Sequence, residues 1–222
     1  MTTSLASHRQ SLRPAGGGRL ESAGHGAPAH PAPMPATQPA LRLVPQPEGL
    51  LQIHTAPFRG SFAAVFSQAL RTAGLGSRVL VTQFLKGGVE QGVAGSLWLC
   101  GRLEWLRPAT PQCIEAPLAP AAAHDPLAVE GSLAAASDLA QTLEAVAEVW
   151  AYSRTCLLEG LVDLMVLDEL GLAIELGYLA ADEVTATLEQ RPAQLDVILT
   201  GPSMPAALMA MADQVTQLRR AP

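Results

Sequence analysis

The chain has 222 residues, of which 49% are hydrophobic and only 4% aromatic, enough for one domain of ordinary size with a substantial core, plus a tail. A formal net charge of -6 and a pI near 5.3 leave no basic face of the kind that holds nucleic acid. Cys100, Cys113 and Cys156 are odd in number and far apart, so they form neither a zinc pattern nor a disulfide framework. With no apolar run near the roughly 18 to 20 residues of a membrane span and no continuous apolar segment of a signal peptide, a reducing cytoplasm is expected. Neither a membrane nor a nucleic-acid partner is.

Residues 1–48 read as an arm. Pro, Ala and Gly dominate its text, as in Pro14-Ala15-Gly16-Gly17-Gly18 and Ala27-Pro28-Ala29-His30-Pro31, and such a composition buries too little apolar surface to offset chain entropy. From residue 49 onward, strand-like and helix-like segments alternate, the pattern of an α/β domain with a mostly parallel sheet flanked by helices. The first strand covers residues 50–54. Phe62, Val65, Phe66, Ala69, Leu70 and Ala73 then recur at helical spacing until Gly74 and Gly76 stop the run. A second strand spans 79–85, and between 87 and 126 the pattern weakens, with one short strand candidate at 103–106. A long helix over 133–158 leads into an acid-ended strand at 162–167. A helix at 182–190, a strand at 196–200, a helix at 206–211 and a last strand at 214–218 complete the chain.

In open α/β sheets ligands bind beyond the carboxyl ends of the strands, where strand order reverses. The segments leaving those ends here are residues 55–60, 83–88, Asp168-Glu169 and Thr200-Gly201, which are therefore expected to converge. The apolar run Leu164-Met165-Val166-Leu167 ending in Asp168-Glu169 is how a buried strand delivers carboxylates to a phosphate and its Mg²⁺. The same carboxylates also serve well as turn caps or as partners of a nearby cation.

Taken together, Val81-Thr82-Gln83-Phe84-Leu85-Lys86-Gly87, Asp163 through Leu170, Arg191-Pro192, Val197-Ile198-Leu199-Thr200-Gly201 and Met211-Ala212-Asp213 occur in the order and spacing of the P-loop type corrinoid adenosyltransferases, which the chain resembles from about residue 49 to 218. Trp150 sits at that family's usual distance before the acidic strand. The resemblance implies a P-loop NTPase-like three-layer fold, a Mg²⁺-ATP site, a corrinoid substrate and a homodimer. Members of the family transfer the adenosyl group of ATP to the cobalt of a reduced corrinoid and release triphosphate.

The departures from that pattern fall on the site. Where the family reads T-G-N-G-K-G-K-T-T, this chain reads Thr55-Ala56-Pro57-Phe58-Arg59-Gly60-Ser61-Phe62-Ala63. A working loop needs small residues so that successive N–H groups can face phosphate, a lysine for charge and a hydroxyl for Mg²⁺. Pro57 removes an N–H, Phe58 is bulky where glycine allowed close approach, Ser61 takes the lysine position and Phe62 the hydroxyl position. Pro202 replaces a frequent arginine, and the aromatic-rich corrinoid segment has no clear counterpart within 107–126. The candidate nucleotide contacts are Thr55, Arg59, Gly60, Ser61, Lys86, Thr200 and Gly201, with Asp168 and Glu169 as candidate metal ligands. Arg59 either turns inward to a phosphate or faces solvent; Lys86 either neutralises phosphate or is simply exposed. Gln83, Thr82, His54, Trp150, Tyr152 and Met165 read as structural. The resulting expectation is a relative of weak or no catalytic power that binds a nucleotide, a corrinoid or a protein partner. An active ATP:corrinoid adenosyltransferase and a ligand-free structural or regulatory dimer are the alternatives.

Overall fold

A computed structural model describes residues 47–60, 62–88, 91–117 and 129–219, with the side chains of 129–135 excepted. Most of the arm, Ser61 and part of the weakly patterned stretch lie outside the described residues. In chain order the elements are β1 (Leu51–Thr55), α1 (Ala63–Gly74), β2 (Val79–Gln83), β3 (Leu97–Leu99), β4 (Leu103–Leu106), α2 (Val129–Leu158), β5 (Leu164–Asp168), α3 (Leu170–Glu175), α4 (Ala181–Glu189), β6 (Asp196–Thr200), α5 (Ala206–Met211) and β7 (Gln214–Gln217).

One seven-stranded sheet runs in the order β3-β4-β2-β5-β6-β1-β7. Every pairing is parallel except that of β3 with β4. β2 and β5 are buried along their whole length, which requires apolar side chains on both faces of the sheet. Val79, Val81, Leu164, Val166 and Ile198 pack with Val65, Ala69 and Ala73 of α1. The alternate residues Leu80, Met165, Leu167, Val197 and Leu199 pack with Val146, Val149 and Trp150 of α2, Val184 and Leu188 of α4 and Leu208 of α5. The period-2 alternation of strand side chains thus assigns α1 to one face and α2, α4 and α5 to the other.

The strands and helices expected from the sequence are present, with end shifts of a few residues. Two short elements are additional. β3 has three residues and follows a Gly-rich stretch, too short for any periodicity to register. α3 has six and opens directly from Glu169, which sits in the left-handed region at φ 60°. Its tight start against Gly201 is what turns the chain immediately after the acidic strand: a Cβ on Gly201, itself at φ 121°, would lie 2.9 Å from the Cα of Glu169.

Candidate functional site

The parallel register places Gln83, Asp168 and Thr200 side by side at the carboxyl ends of β2, β5 and β6. The four segments expected to converge there do so, and they bond to one another. Asp168 is 2% exposed; Thr200 donates its hydroxyl to Oδ1 and the Gln83 amide donates to Oδ2 at 2.7 Å. The amide oxygen of Gln83 in turn accepts from Trp105 Nε1 at 2.9 Å and Arg107 Nε at 2.8 Å. Burial pushes the Asp168 carboxyl above the usual carboxylate range, against the lowering effect of its two hydrogen bonds, and the neighbouring Glu169 pushes it the same way. The sequence reading of Gln83 as a structural, hydrogen-bonding residue of its strand agrees with these contacts. Nothing in the sequence pointed to Trp105 or Arg107.

Glu169, 1% exposed, is the anion at the centre of a second knot. Arg59 turns inward and grips it with both faces of its fork: Nε donates to Oε1 at 2.6 Å and Nη2 to Oε2 at 2.9 Å. The same guanidinium donates Nη1 to the carbonyl of Ile114 at 3.0 Å and Nη2 to that of Leu85 at 3.1 Å. Lys86 Nζ approaches Glu169 Oε1 at 3.4 Å. The solvent-facing reading of Arg59 is therefore corrected: the planar fork matches the buried Glu169 carboxylate and reaches the Leu85 and Ile114 carbonyls at the same time. Glu169 in turn raises the Arg59 pKa, so the guanidinium remains charged. Lys86 is likewise engaged at the rim.

The loop between β1 and α1 is shaped for this pair. Pro57 carries no N–H, and the ring of Phe58 covers Gly60, reaching 3.0 Å from where a Cβ on that glycine would stand. Phe62, 3% exposed, is part of the apolar layer under α1. Thr55 stands apart from the knot: its carbonyl accepts the Leu218 N–H at 2.8 Å, and it lines a separate cavity of about 300 Å³ with Pro57, Ser203 and Gln217. Gly201 serves close backbone approach to Glu169. His54 contributes its carbonyl, which accepts from Gly201 N at 3.1 Å; burial lowers its ring pKa, which favours a neutral imidazole.

For Mg²⁺ the donor set does not fit in this arrangement. Glu169 is paired with the Arg59 cation and would have to give up that partner to take a metal, and Asp168 is buried between Thr200 and Gln83 with its pKa raised toward the neutral form. The residue that the resemblance aligns with a metal hydroxyl is Phe62, and no cluster of three or more His, Cys, Asp or Glu suited to a metal occurs among the described residues. What remains open beside the knot is a cleft of about 350 Å³, walled by residues 109–116 and by Asp138, Thr142 and Tyr178. Its wall is fastened on one side by Arg59 through Ile114 and on the other by Tyr178, whose hydroxyl donates to the Ala116 carbonyl at 3.2 Å.

A parallel sheet whose first strand runs through a loop into α1, with a neighbouring strand ending in paired carboxylates, defines an α/β domain of the P-loop class. Residues 47–221 match the family described as ATP:corrinoid adenosyltransferase BtuR/CobO/CobP, and the chain belongs to that family. The corrinoid adenosyltransferase of Escherichia coli K12 is 29% identical over 177 residues, covering 77% of this chain and 76% of that protein. Corrinoid adenosyltransferase CobA of Salmonella typhimurium LT2 is 28% identical over 177 residues, with the same coverage of 77% and 76%. The corrinoid adenosyltransferase of Pseudomonas aeruginosa PAO1 is 26% identical over 170 residues, covering 77% of this chain and 74% of that protein.

Proposed function

We propose that this chain is a family member whose nucleotide crevice is occupied by its own guanidinium, and that it acts as a non-catalytic or weakly catalytic binder of a corrinoid or a protein partner. The observation that carries the reading is the Arg59 knot: one side chain makes four hydrogen bonds to Glu169, Ile114 and Leu85 on the rim toward which the family's ATP phosphates are expected to lie. Four features compound it: the missing N–H at Pro57, the Phe58 ring over Gly60, Phe62 in the core, and serine at position 61. Each lost charge-assisted phosphate contact costs on the order of 1.5 to 3 kcal/mol, so Mg²⁺-ATP is expected to bind far more weakly than to a relative with an intact loop. The cleft walled by residues 109–116 is the surface left for a ligand other than nucleotide, and a dimer with a second copy is the assembly expected from the family.

Calorimetry of the full chain with Mg²⁺-ATP, and separately with a corrinoid, tests this. Weak or absent nucleotide binding is expected. Saturable corrinoid binding without ATP assigns the ligand, and its absence directs the reading to a protein partner. Submicromolar Mg²⁺-ATP affinity overturns the proposal in favour of an active adenosyltransferase in which Arg59 lets go of Glu169 and joins Lys86 on the phosphates.

A further inference from the structure

A second cavity, about 350 Å³ in volume, opens at the opposite end of the sheet, between the amino ends of β2, β4 and β5 and the last turns of α2. In the antiparallel β3–β4 ladder Trp98 stands directly opposite Glu104, so the two side chains leave the sheet on the same face. That face is the one α2 covers: Tyr152 donates its hydroxyl to Glu104 Oε2 at 2.8 Å. Ser96 donates to Oε1 at 2.6 Å.

Glu104 is only 7% exposed yet lines this cavity. A carboxylate offers about four acceptor positions, and the two hydroxyls use one on each oxygen, which leaves acceptor capacity for a donor arriving from the cavity. Burial and the bond to Glu104 push the Tyr152 pKa well up, so its proton stays committed to Glu104. Burial likewise raises the pKa of Cys156 in the wall, which makes it a neutral, packing thiol rather than a nucleophile.

The mouth is apolar and cationic together. Trp98 is 61% exposed and Leu161 44%, both large side chains on the rim of one concavity. Arg78 is already engaged by Asp163 and the Gly160 carbonyl. Arg102 is exposed and lies on the rim; its charge helps hold the Asp163 carboxyl below the usual range, behind Arg78, which is the larger influence. An acceptor inside, an indole at the wall and an exposed cation at the rim define a complementary ligand. The volume sits at the small end of the range for small-molecule sites.

We propose that this cavity binds a small flat heteroaromatic acid: its ring lies against Trp98, its ring N–H donates to Glu104, and its carboxylate pairs with Arg102. The site is independent of the nucleotide crevice.

The test uses indole-3-acetate as probe, titrated into the full-length protein by calorimetry and followed by saturation-transfer NMR, with 1-methylindole-3-acetate and indole as comparisons. Saturable binding of indole-3-acetate is expected, weakened about tenfold or more when the ring nitrogen is methylated or the carboxylate is absent. Arg102→Ala and Trp98→Ala change exposed side chains, so the fold stays intact; each is expected to weaken the probe by about tenfold, while Leu75→Ala, at an exposed position outside the cavity, leaves its affinity unchanged. The proposal is overturned if no saturation is seen up to about 10 mM, if the N-methyl probe binds as well as the parent, or if both cavity variants keep wild-type affinity. An extended peptide captured along β3 with no response to the small probe overturns it as well.

Discussion

Replacing Arg59 by methionine keeps the apolar stem of the side chain and removes its fork, leaving Glu169 buried with only Lys86 at 3.4 Å. Breaking a buried ion pair by deleting one partner costs about 3 to 5 kcal/mol. Here the Arg59 side chain is 26% exposed against 1% for Glu169, and Lys86 offers partial compensation, so solvent screening brings the expected loss to about 2.5 kcal/mol. Glu169→Gln keeps the shape and one acceptor but gives up the charge, for about 1.5 kcal/mol. The double variant is expected near 2.5 kcal/mol rather than the sum, because once either partner is gone the pair has little left to lose; the implied coupling is about 1.5 kcal/mol. Urea unfolding of the four proteins reads these values directly, and in thermal melts Arg59→Met should shift the midpoint down by about 5 to 10 °C. If Arg59→Met stays within about 0.5 kcal/mol of wild type, or if the two single effects simply add, the knot is not the structural clamp described here.

Three further outcomes follow from the same geometry. Restoring the loop with Ala56→Gly, Pro57→Asn, Phe58→Gly, Ser61→Lys and Phe62→Thr is expected to raise Mg²⁺-ATP affinity about tenfold, roughly 1.4 kcal/mol, only when Arg59→Ala is added to free Glu169; calorimetry showing that gain with Arg59 retained would refute the idea that the clamp blocks the site. Because the Asp168 pKa is raised in the folded state, its contribution to stability is fully present below the ordinary carboxylate pKa of about 3.9 and is lost as pH rises through the raised value. Asp168→Asn should therefore gain stability relative to wild type as pH goes from about 4 to 7, and a pH-independent difference in urea midpoints would contradict this. Gly201→Ala adds a Cβ 2.9 Å from the Glu169 Cα at a φ of 121° and is expected to cost about 2 to 3 kcal/mol; a variant with an unchanged unfolding midpoint would show that the approach relaxes freely.

How much was legible in the sequence differs from element to element. The run Asp196–Thr200 and the helix Ala206–Met211 are present with the bounds read from periodicity, and the junction of Asp168, Gln83 and Thr200 follows from knowing that parallel strands align their carboxyl ends. The antiparallel β3 did not show, since three residues carry no period. Nor did α3, whose start depends on a left-handed Glu169 seated against Gly201, a tertiary contact between residues 32 apart in sequence. The direction of Arg59 was the least readable feature of the site. Its side chain is drawn inward by the carbonyls of Leu85 and Ile114, 26 and 55 residues away, and a backbone carbonyl leaves no mark in an amino-acid sequence. Ser61 lies outside the described residues, so its place at the rim rests on sequence alone.

The Arg59 fork also has a kinetic side. It joins Glu169, 110 residues away, with Leu85 and Ile114, 26 and 55 away, so all of its bonds require β1, β2, β5 and the segment after β4 to be in place first. Closing such long loops costs chain entropy before the contact rewards it, so the fork is expected to form late, after the transition state. A contact of that kind holds the native state by slowing escape from it. Arg59 is then expected to act as a brake on opening the sheet: Arg59→Met should unfold faster in proportion to its lost stability while refolding at the wild-type rate.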